Sequence, residues 1–212
     1  TTSPAGTIAS TSSVSNAGHF SVGTYTGQTA AGTVGHGLGG VAEMVIVWDK
    51  GFDNSIAVYH VGVASDAATD YLLLNQTDAA TDNATFWNDT APTSSVFSVG
   101  TGNNTNGNTR PKSFLAFRSV AGVCKVGSYT GNGSATAPPY VSVGFKPSWV
   151  MIRKTNGTGS WHLYDTARSL INEVDDQLLA DSSAAETTGS EELDILSDGF
   201  KIRTADAGVN TS

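Results

Sequence analysis

The sequence has little cysteine, little charge and no long apolar run. Its single cysteine, Cys124, excludes an intramolecular disulfide and a cysteine-ligated metal cluster. Charged residues make up only 14% of the 212 residues, which argues against a charge-driven disordered chain and against a bundle of surface helices. No stretch approaches the roughly 18 consecutive apolar residues of a membrane span, so we expect no membrane insertion.

Basic residues are also few. The chain has 11 lysines and arginines against 19 aspartates and glutamates, which gives a net charge of -8. Because an acidic surface repels phosphate backbones, we expect no nucleic-acid partner. What the chain has instead is 24 glycines and many threonine, serine and asparagine residues. These residues suit turns and half-exposed strands, so the composition predicts an all-β protein.

An internal repeat is the strongest pattern in the sequence. Residues 22–27 read VGTYTG and residues 126–131 read VGSYTG, an offset of 104 residues. Four further blocks match in the same order: Met44–Val47 with Trp149–Ile152, Tyr59 with Tyr164, Leu72–Leu73 with Leu178–Leu179, and Phe97–Thr101 with Phe200–Thr204. Five blocks in one order predict two tandem antiparallel β-sandwich units of jelly-roll type, each of about 100 residues.

The repeat also sets the expected domain boundaries. Residues 1–19 form a lead-in and an edge strand, residues 20–124 the first repeat, and residues 125–212 the second repeat. The dense apolar run Lys112–Phe117 predicts a strand that is buried on both faces and closes the first repeat. The second repeat has no equivalent run, so we expect it to lack its closing strand. The alternative is that the 212 residues are an excerpt of a longer protein.

Strand signals agree between the two copies. Runs of β-branched and aromatic residues flank a breaker in each copy, which predicts one hairpin per copy. The hairpins are expected at 44–49 with 55–61 and at 149–154 with 160–164. Val96–Val99 alternates as a half-buried strand does. The stretch 169–196 has room for a short helix over Ile171–Leu179, whereas 66–80 has no helical period and predicts an irregular loop.

Two patterns resemble catalytic or cofactor motifs and are set aside. Residues 35–40 match the glycine pattern of dinucleotide-binding folds, but a strand and not a helix is expected after them, so we assign no cofactor. Ser160, His162 and Asp165 are the residue types of a hydrolase triad, but alternation along one strand sends neighbours to opposite faces. None of the four histidines, His19, His36, His60 and His162, has the spacing of paired metal ligands. We therefore expect no enzyme activity and assign no catalytic residue.

An acidic stretch follows the second hairpin. It contains one basic residue, Arg168, and ten acids: Asp165, Glu173, Asp175, Asp176, Asp181, Glu186, Glu191, Glu192, Asp194 and Asp198. The stretch lacks the spacing of a calcium-binding loop, which favours a solvated acidic face and no assigned metal ligand. No local sequence pattern in this stretch indicates the pair of carboxylates that a glycosidase needs, so a glycan-cleaving enzyme is the least favoured class.

Tryptophans are the candidates for stacking on sugars or anchoring an interface. The chain has four, Trp48, Trp87, Trp149 and Trp161. Trp149 aligns with Met44 of the first copy, so we expect it in the core. Trp87 adjoins a turn and is the better surface candidate, although a core position is favoured for it too. Cys124 is expected to be a buried, inert thiol in a strand.

Nearly the whole sequence resembles a known module. Phe20–Gly27 with Val34–Gly39, and also Thr85–Gly100, resemble a module of tailed-bacteriophage tail and fibre proteins. In the second copy the same pattern is met by Tyr129–Ser134, Gly144–Ile152 and Tyr164–Arg168, so the resemblance covers about residues 20–208. The module is similar to concanavalin- or laminin-G-like β-sandwiches and has no catalytic motif to transfer. The resemblance implies a structural protein.

These observations lead to a functional expectation. We expect a non-enzymatic structural protein of a tailed-phage virion, located at the virion surface after assembly in the host cytoplasm. Its partners would be copies of itself or other virion proteins. The alternative is a lectin-like module that binds host-surface glycan, with Trp87 or Trp161 exposed on loops and Ca²⁺ held by the acidic stretch.

The missing strand gives a sharper hypothesis. An open sheet edge is a template for a strand from another chain. By the repeat, the N-terminal segment 7–18 occupies the register of the missing strand, so it could complete the second repeat of a neighbouring copy.

Overall fold

The chain is all-β, as the composition predicts. The computed structural model describes residues 2–3, 5–63, 66–170, 172–189 and 192–211. Its strands are β1 (Thr2–Ser3), β2 (Ser10–Val14), β3 (Phe20–Thr26), β4 (Gly32–Gly35), β5 (Met44–Asp49), β6 (Ala57–His60), β7 (Asp70–Leu73), β8 (Thr81–Asp82), β9 (Val96–Val99), β10 (Pro111–Phe117), β11 (Tyr140–Ser142), β12 (Trp149–Arg153), β13 (Trp161–Asp165), β14 (Leu178–Leu179), β15 (Leu193–Leu196) and β16 (Gly199–Ile202). Two one-turn helices, α1 (Ala84–Trp87) and α2 (Asn103–Asn106), lie among them.

The chain divides into two compact units. Unit 1 consists of residues 1–74 and 80–127, and unit 2 consists of residues 75–79 and 128–212. The repeat boundaries expected from the sequence, 20–124 and 125–212, stay a prediction.

The large sheet of unit 1 has β10 near its middle. Its strand order is β1-β2-β3-β10-β5-β6-β7-β8, and the paired strands are antiparallel. Phe114 of β10 lies opposite Gly23 of β3 on one side and opposite Val47 of β5 on the other. Since β10 is paired along both edges, the predicted strand at 112–117 is confirmed. The predicted burial of both faces is wrong for the outer face, where Leu115 and Phe117 are only partly buried.

A second layer covers the inner face of this sheet. Strands β4 and β9 pair with each other, Val34 opposite Phe97. The Phe97 ring meets the rings of Tyr25 and Phe114 in edge-to-face contacts, with centroids 6.2 and 5.2 Å apart. The core of unit 1 therefore lies between two layers of strands, which is consistent with a β-sandwich.

Unit 2 contains two three-stranded antiparallel sheets. Their strand orders are β12-β13-β14 and β11-β16-β15. Inward-facing side chains from both sheets share one core with Val174 and Val209 of the connecting segments; the sheet residues are Val150, Ile152, Tyr164, Leu193, Ile195, Phe200 and Ile202. Tyr129 packs at the side of this core, its ring edge-to-face with that of Phe200 at 6.1 Å.

Most of the strand predictions are confirmed, but two loops differ. Both hairpins and the Val96–Val99 strand are present. The short helix for which 169–196 has room, over Ile171–Leu179, does not form in its described part. Val174 bridges to Leu193 of β15 and Gln177 bridges to Thr187, so their backbones bond outside a helix. Ile171 itself lies outside the described residues. The loop expected at 66–80 contains β7, which pairs with β6 and buries Leu72.

In the described part of the chain, the helices are too short to cross a membrane.

Candidate functional site

The glycine-rich segment 35–40 joins β4 to β5 around a buried histidine. The Nε2 atom of His36 lies 3.1 Å from the Thr93 carbonyl oxygen, and its Nδ1 accepts a hydrogen bond from the Leu38 amide at 3.2 Å. These two contacts fix the neutral tautomer, and burial lowers the pKa of His36. The next regular element is a strand, as predicted, so the glycines form a structural turn.

The structure does not bring the triad residue types together. Nδ1 of His162 lies 3.8 Å from Glu192, whereas Asp165 is bound by Arg168 at 2.6 Å. Burial lowers the pKa of His162, and the nearby Glu192 carboxylate acts in the opposite direction. Across the described residues, no three His, Cys, Asp or Glu side chains are grouped to hold a metal ion.

Ion pairs occupy several acids of the stretch 165–198. Arg168 contacts Asp165 and Glu186, each at 2.6 Å. Arg203 contacts Glu173 at 2.8 Å and Asp194 at 3.0 Å. Glu191 lies outside the described residues. The acidic face is therefore partly neutralised by the chain's own arginines.

A buried polar cluster in unit 2 had no signal in the sequence. The Tyr164 hydroxyl and the Gln177 side-chain amide both donate hydrogen bonds to the Glu192 carboxylate. Gln177 also lies 3.0 Å from the Tyr164 hydroxyl. Burial, and then the hydrogen bond to Glu192, raise the pKa of Tyr164. The three side chains satisfy one another, which is what a structural core cluster requires.

The tryptophan predictions have different outcomes. Trp87 is 2% exposed, which confirms the favoured core position. Trp161 is 3% exposed, so the loop exposure of Trp87 or Trp161 expected for a lectin-like module is wrong. Trp149, expected in the core, is 55% exposed. Its counterpart Met44 is buried because Phe117 of β10 lies opposite it in the sheet. Trp149 has no such neighbour strand among the described residues.

Cys124 is only half-buried and does not lie in a strand. It closes a short turn by an isolated bridge to Val120. Burial raises the pKa of the Cys124 thiol, which keeps it in the unreactive protonated form. The expectation of an inert thiol fits this environment, but the expected strand is wrong because the bridge extends no further.

Unit 1 contains a hydrogen-bonded corner between the end of β3 and α2. The Tyr25 hydroxyl donates to the Thr105 carbonyl oxygen, and both side chains are buried. The fully buried Asn106 side chain then holds three backbone groups: the Gln28 amide and the Ala30 and Gly100 carbonyls, at 2.8, 2.8 and 2.7 Å.

Unit 2 contains the same corner at an offset of 104 residues. The Tyr129 hydroxyl donates to the Val209 carbonyl oxygen. The fully buried Asn210 side chain holds the Asn132 amide and the Ser134 and Thr204 carbonyls, at 2.9, 3.1 and 2.6 Å. Sequence comparison could have found this corner, because both tyrosines lie in the repeated motif and both asparagines follow at the same offset.

The two units differ at one sheet edge. In unit 1, β5 pairs with β6 on one side and with β10 on the other. In unit 2 the matching hairpin is β12–β13, with Val150 opposite Tyr164 as Val45 is opposite Tyr59. Within the described ranges no strand pairs with β12 on the side away from β13. This side of β12, called the open edge below, is the candidate functional site.

The N-terminal segment does not fill the open edge. Ser10–Val14 forms β2 and pairs with β3 of the same unit, Ser10 opposite Tyr25. The Ser10 hydroxyl also donates to the Gly35 carbonyl oxygen at 2.9 Å, and Ile8 is buried in the core. This corrects the hypothesis that 7–18 is a spare strand, because its hydrogen bonds are already made on the other side of β3 from β10.

Comparison with known proteins gives a family without an assigned activity. A family model described as a domain of unknown function (DUF7483) matches residues 1–212, the whole length of the chain. No curated protein and no solved structure matches the chain.

Proposed function

The chain belongs to the DUF7483 family, and we propose that it is a non-enzymatic structural protein of a tailed-phage virion, in a fibre, tail or capsid-surface appendage. The open edge of β12 carries the proposal. An unpaired edge binds another strand through main-chain hydrogen bonds and needs no catalytic group. The protein would assemble at the virion surface with copies of itself or with other virion proteins.

Two further observations support this role. The corner built on Asn106 and the corner built on Asn210 make the same contacts, which supports two tandem copies of one unit. Virion structural proteins act through surfaces and symmetry, since identical subunits close into rings or run into filaments. The phage assignment itself is supported by the resemblance of Phe20–Gly27 and Thr85–Gly100 to tail and fibre modules.

Particle composition tests the proposal. Particles purified from cells that produce the phage encoding this chain are analysed by quantitative mass spectrometry. We expect the chain at a fixed copy number per particle, retained after high-salt washing. Its presence in the cell lysate together with its absence from purified particles would contradict a structural role.

Glycan binding is the second candidate function, and a groove on the outer face of unit 1 favours it. The groove has a volume of about 370 Å³ and lies across β2, β3, β10 and β5. Hydroxyl side chains and one half-buried indole line it: Thr11, Ser13, Thr24, Ser113 and Trp48. Hydroxyl groups beside an aromatic ring suit a sugar that stacks and hydrogen-bonds at once.

A glycan array separates the two candidates. A lectin-like module would bind a defined glycan, and the substitution Trp48→Ala would abolish that binding. The solvent-exposed control Leu170→Ala would leave it unchanged. A chain that is found in particles and binds no glycan on the array would remove the second candidate.

A further inference from the structure

Unit 1 shows what kind of strand fits beside its hairpin. Three side chains of β10 face inward: Lys112, Phe114 and Ala116, all fully buried. The Phe114 ring packs between the rings of Tyr25 and Phe97, with centroid distances of 6.4 and 5.2 Å. A phenylalanine flanked by two inward positions therefore anchors the strand in this core.

Unit 2 has the same partners for such a phenylalanine. Tyr129 and Phe200 form an edge-to-face pair at 6.1 Å, as Tyr25 and Phe97 do at 6.2 Å. Tyr129 is only partly buried, whereas Tyr25 is 4% exposed. Tyr129 and Trp149 are thus more exposed than the matching Tyr25 and Met44 of unit 1, which lie on the two strands that pair with β10.

The repeat also fixes the register of an added strand. In unit 1, Phe114 lies opposite Val47 and Ala116 lies opposite Val45. The corresponding residues of β12 are Ile152 and Val150. An added antiparallel strand would thus place its phenylalanine opposite Ile152 and a small residue opposite Val150.

One position differs in charge between the units. Asp49 at the end of β5 faces Lys112, with 2.5 Å between Oδ1 and Nζ and both side chains fully buried. The corresponding residue of unit 2 is Lys154, which forms no ion pair with any described residue. A strand carrying lysine at this level would place two cations together, so an acidic residue is the complementary choice.

Among the described residues, β10 is the one strand of this type. β10 is paired on both edges within unit 1, and β2 is paired with β3. A second copy has the same commitment and therefore no β10 to give. We propose that the open edge binds an antiparallel strand from outside residues 1–212, with an acidic residue opposite Lys154, phenylalanine opposite Ile152 and a small residue opposite Val150. This inference rests on the proposed structural role and names the chemistry of the added strand.

A synthetic peptide tests the proposal on the intact chain. The probe is residues 109–119 with the change Lys112→Glu, titrated to about 1 mM, the affinity range of a weak single contact. We expect saturable binding, a shift of the Trp149 emission to shorter wavelength, and slower hydrogen exchange of alternate β12 amides. The emission shift should disappear in the variant Trp149→Phe. No saturable binding by about 1 mM would overturn the proposal.

Two peptide controls test the binding mode. A peptide with Phe114→Asp should lose binding, because a carboxylate cannot replace the buried ring. A peptide N-methylated at alternate residues cannot donate to β12 and should also lose binding. Equal binding of either control peptide would contradict an added strand anchored by phenylalanine.

A charge exchange tests the register. The chain should bind the Glu peptide about threefold or more tightly than the unchanged Lys peptide, within the usual range for partly exposed ion pairs. The variant Lys154→Glu should reverse this preference, and the control Leu170→Ala should preserve it. An unchanged preference in Lys154→Glu would contradict the register.

The peptide-binding experiment and the particle measurement can fail independently of each other. Absence of the chain from purified particles would remove the virion role, whatever the peptide does. Failure of the peptide to bind a chain that is present in particles would remove the strand partner alone.

Discussion

A methyl group added at Gly23 has no room. A Cβ built there would overlap the Phe114 ring and lie 2.5 Å from the Thr11 carbonyl oxygen. Gly127 holds the same place in the repeated motif, but a Cβ there meets only Lys125 Cε, at 3.8 Å. The chain therefore needs glycine at Gly23 for close packing, whereas the surroundings of Gly127 have room for a side chain.

The two glycines should therefore respond differently to substitution. We expect Gly23→Ala to lower the free energy of unfolding by about 1–3 kcal/mol, the usual cost of overpacking a core. Gly127→Ala should change it by less than about 0.5 kcal/mol, as at an open surface position. Urea denaturation of both variants measures this, and equal losses would show that the surroundings of the two glycines are not as described.

His36 makes the stability of unit 1 depend on pH. Burial lowers its pKa below the usual 6.5. The unfolded chain therefore takes up a proton at a higher pH than the folded chain, and stability falls as the pH drops from about 6.5 towards the folded pKa. Above pH 6.5 this contribution is fully present.

The substitution His36→Gln should flatten that pH dependence. Free energies of unfolding, measured at intervals from pH 7.5 to about 5, would be compared between the two chains, since carboxylates contribute equally to both. A slope below pH 6.5 that is as steep in His36→Gln as in the parent chain would contradict the role of His36.

At the scale of elements, β5 and β12 share a sequence pattern but have different neighbours. β5 is hydrogen-bonded on both edges, whereas β12 is paired on one edge within the described residues. We expect hydrogen exchange to be slow at the amides of Met44–Asp49 and fast at alternate amides of Trp149–Arg153. Slow exchange at every amide of β12 in the chain alone would show that its edge is covered.

The elements that could be predicted from sequence are those with a local signal. The two hairpins and β10 follow from alternation and from a dense apolar run. β7 was missed because a four-residue strand with one buried residue, Leu72, shows no recognisable period. The sequence left room for a short helix over Ile171–Leu179, but Val174 and Gln177 form isolated bridges instead.

The candidate site was predicted in outline and missed in detail. Counting repeat blocks predicted that the second repeat lacks its closing strand, and among the described residues no strand pairs with β12 on the side away from β13. It did not indicate that Trp149 is exposed. The alignment with Met44 gives the position of Trp149 in its hairpin, but it does not show whether a further strand lies beside it. Exposure depends on β10, which lies about seventy residues further along the chain than Met44 and has no counterpart beside Trp149 in the described chain.

At the scale of the whole molecule, the two corners anchor separate units. Asn106 and Asn210 are fully buried, and each holds three backbone groups. Replacing either by alanine leaves those buried groups without partners, at a cost of about 3 kcal/mol. Unit 2 should also unfold first in the parent chain, because its described residues include no counterpart of β10, the strand near the middle of the large sheet in unit 1.

Hydrogen exchange in rising urea can follow each unit by its own core strands. Asn106→Ala should lower the urea concentration at which the β5 and β9 amides exchange. Asn210→Ala should lower that for the β15 and β16 amides. Equal shifts of all four strands in both variants would contradict two units with separate corners.

The most direct test is an experimental structure of the intact chain with the peptide of residues 109–119 carrying Lys112→Glu. We expect the peptide antiparallel to Trp149–Arg153, its phenylalanine opposite Ile152 and against the Tyr129 and Phe200 rings. The glutamate should face Lys154. A peptide bound elsewhere, or a β12 edge already covered by a segment of the chain itself, would contradict the account.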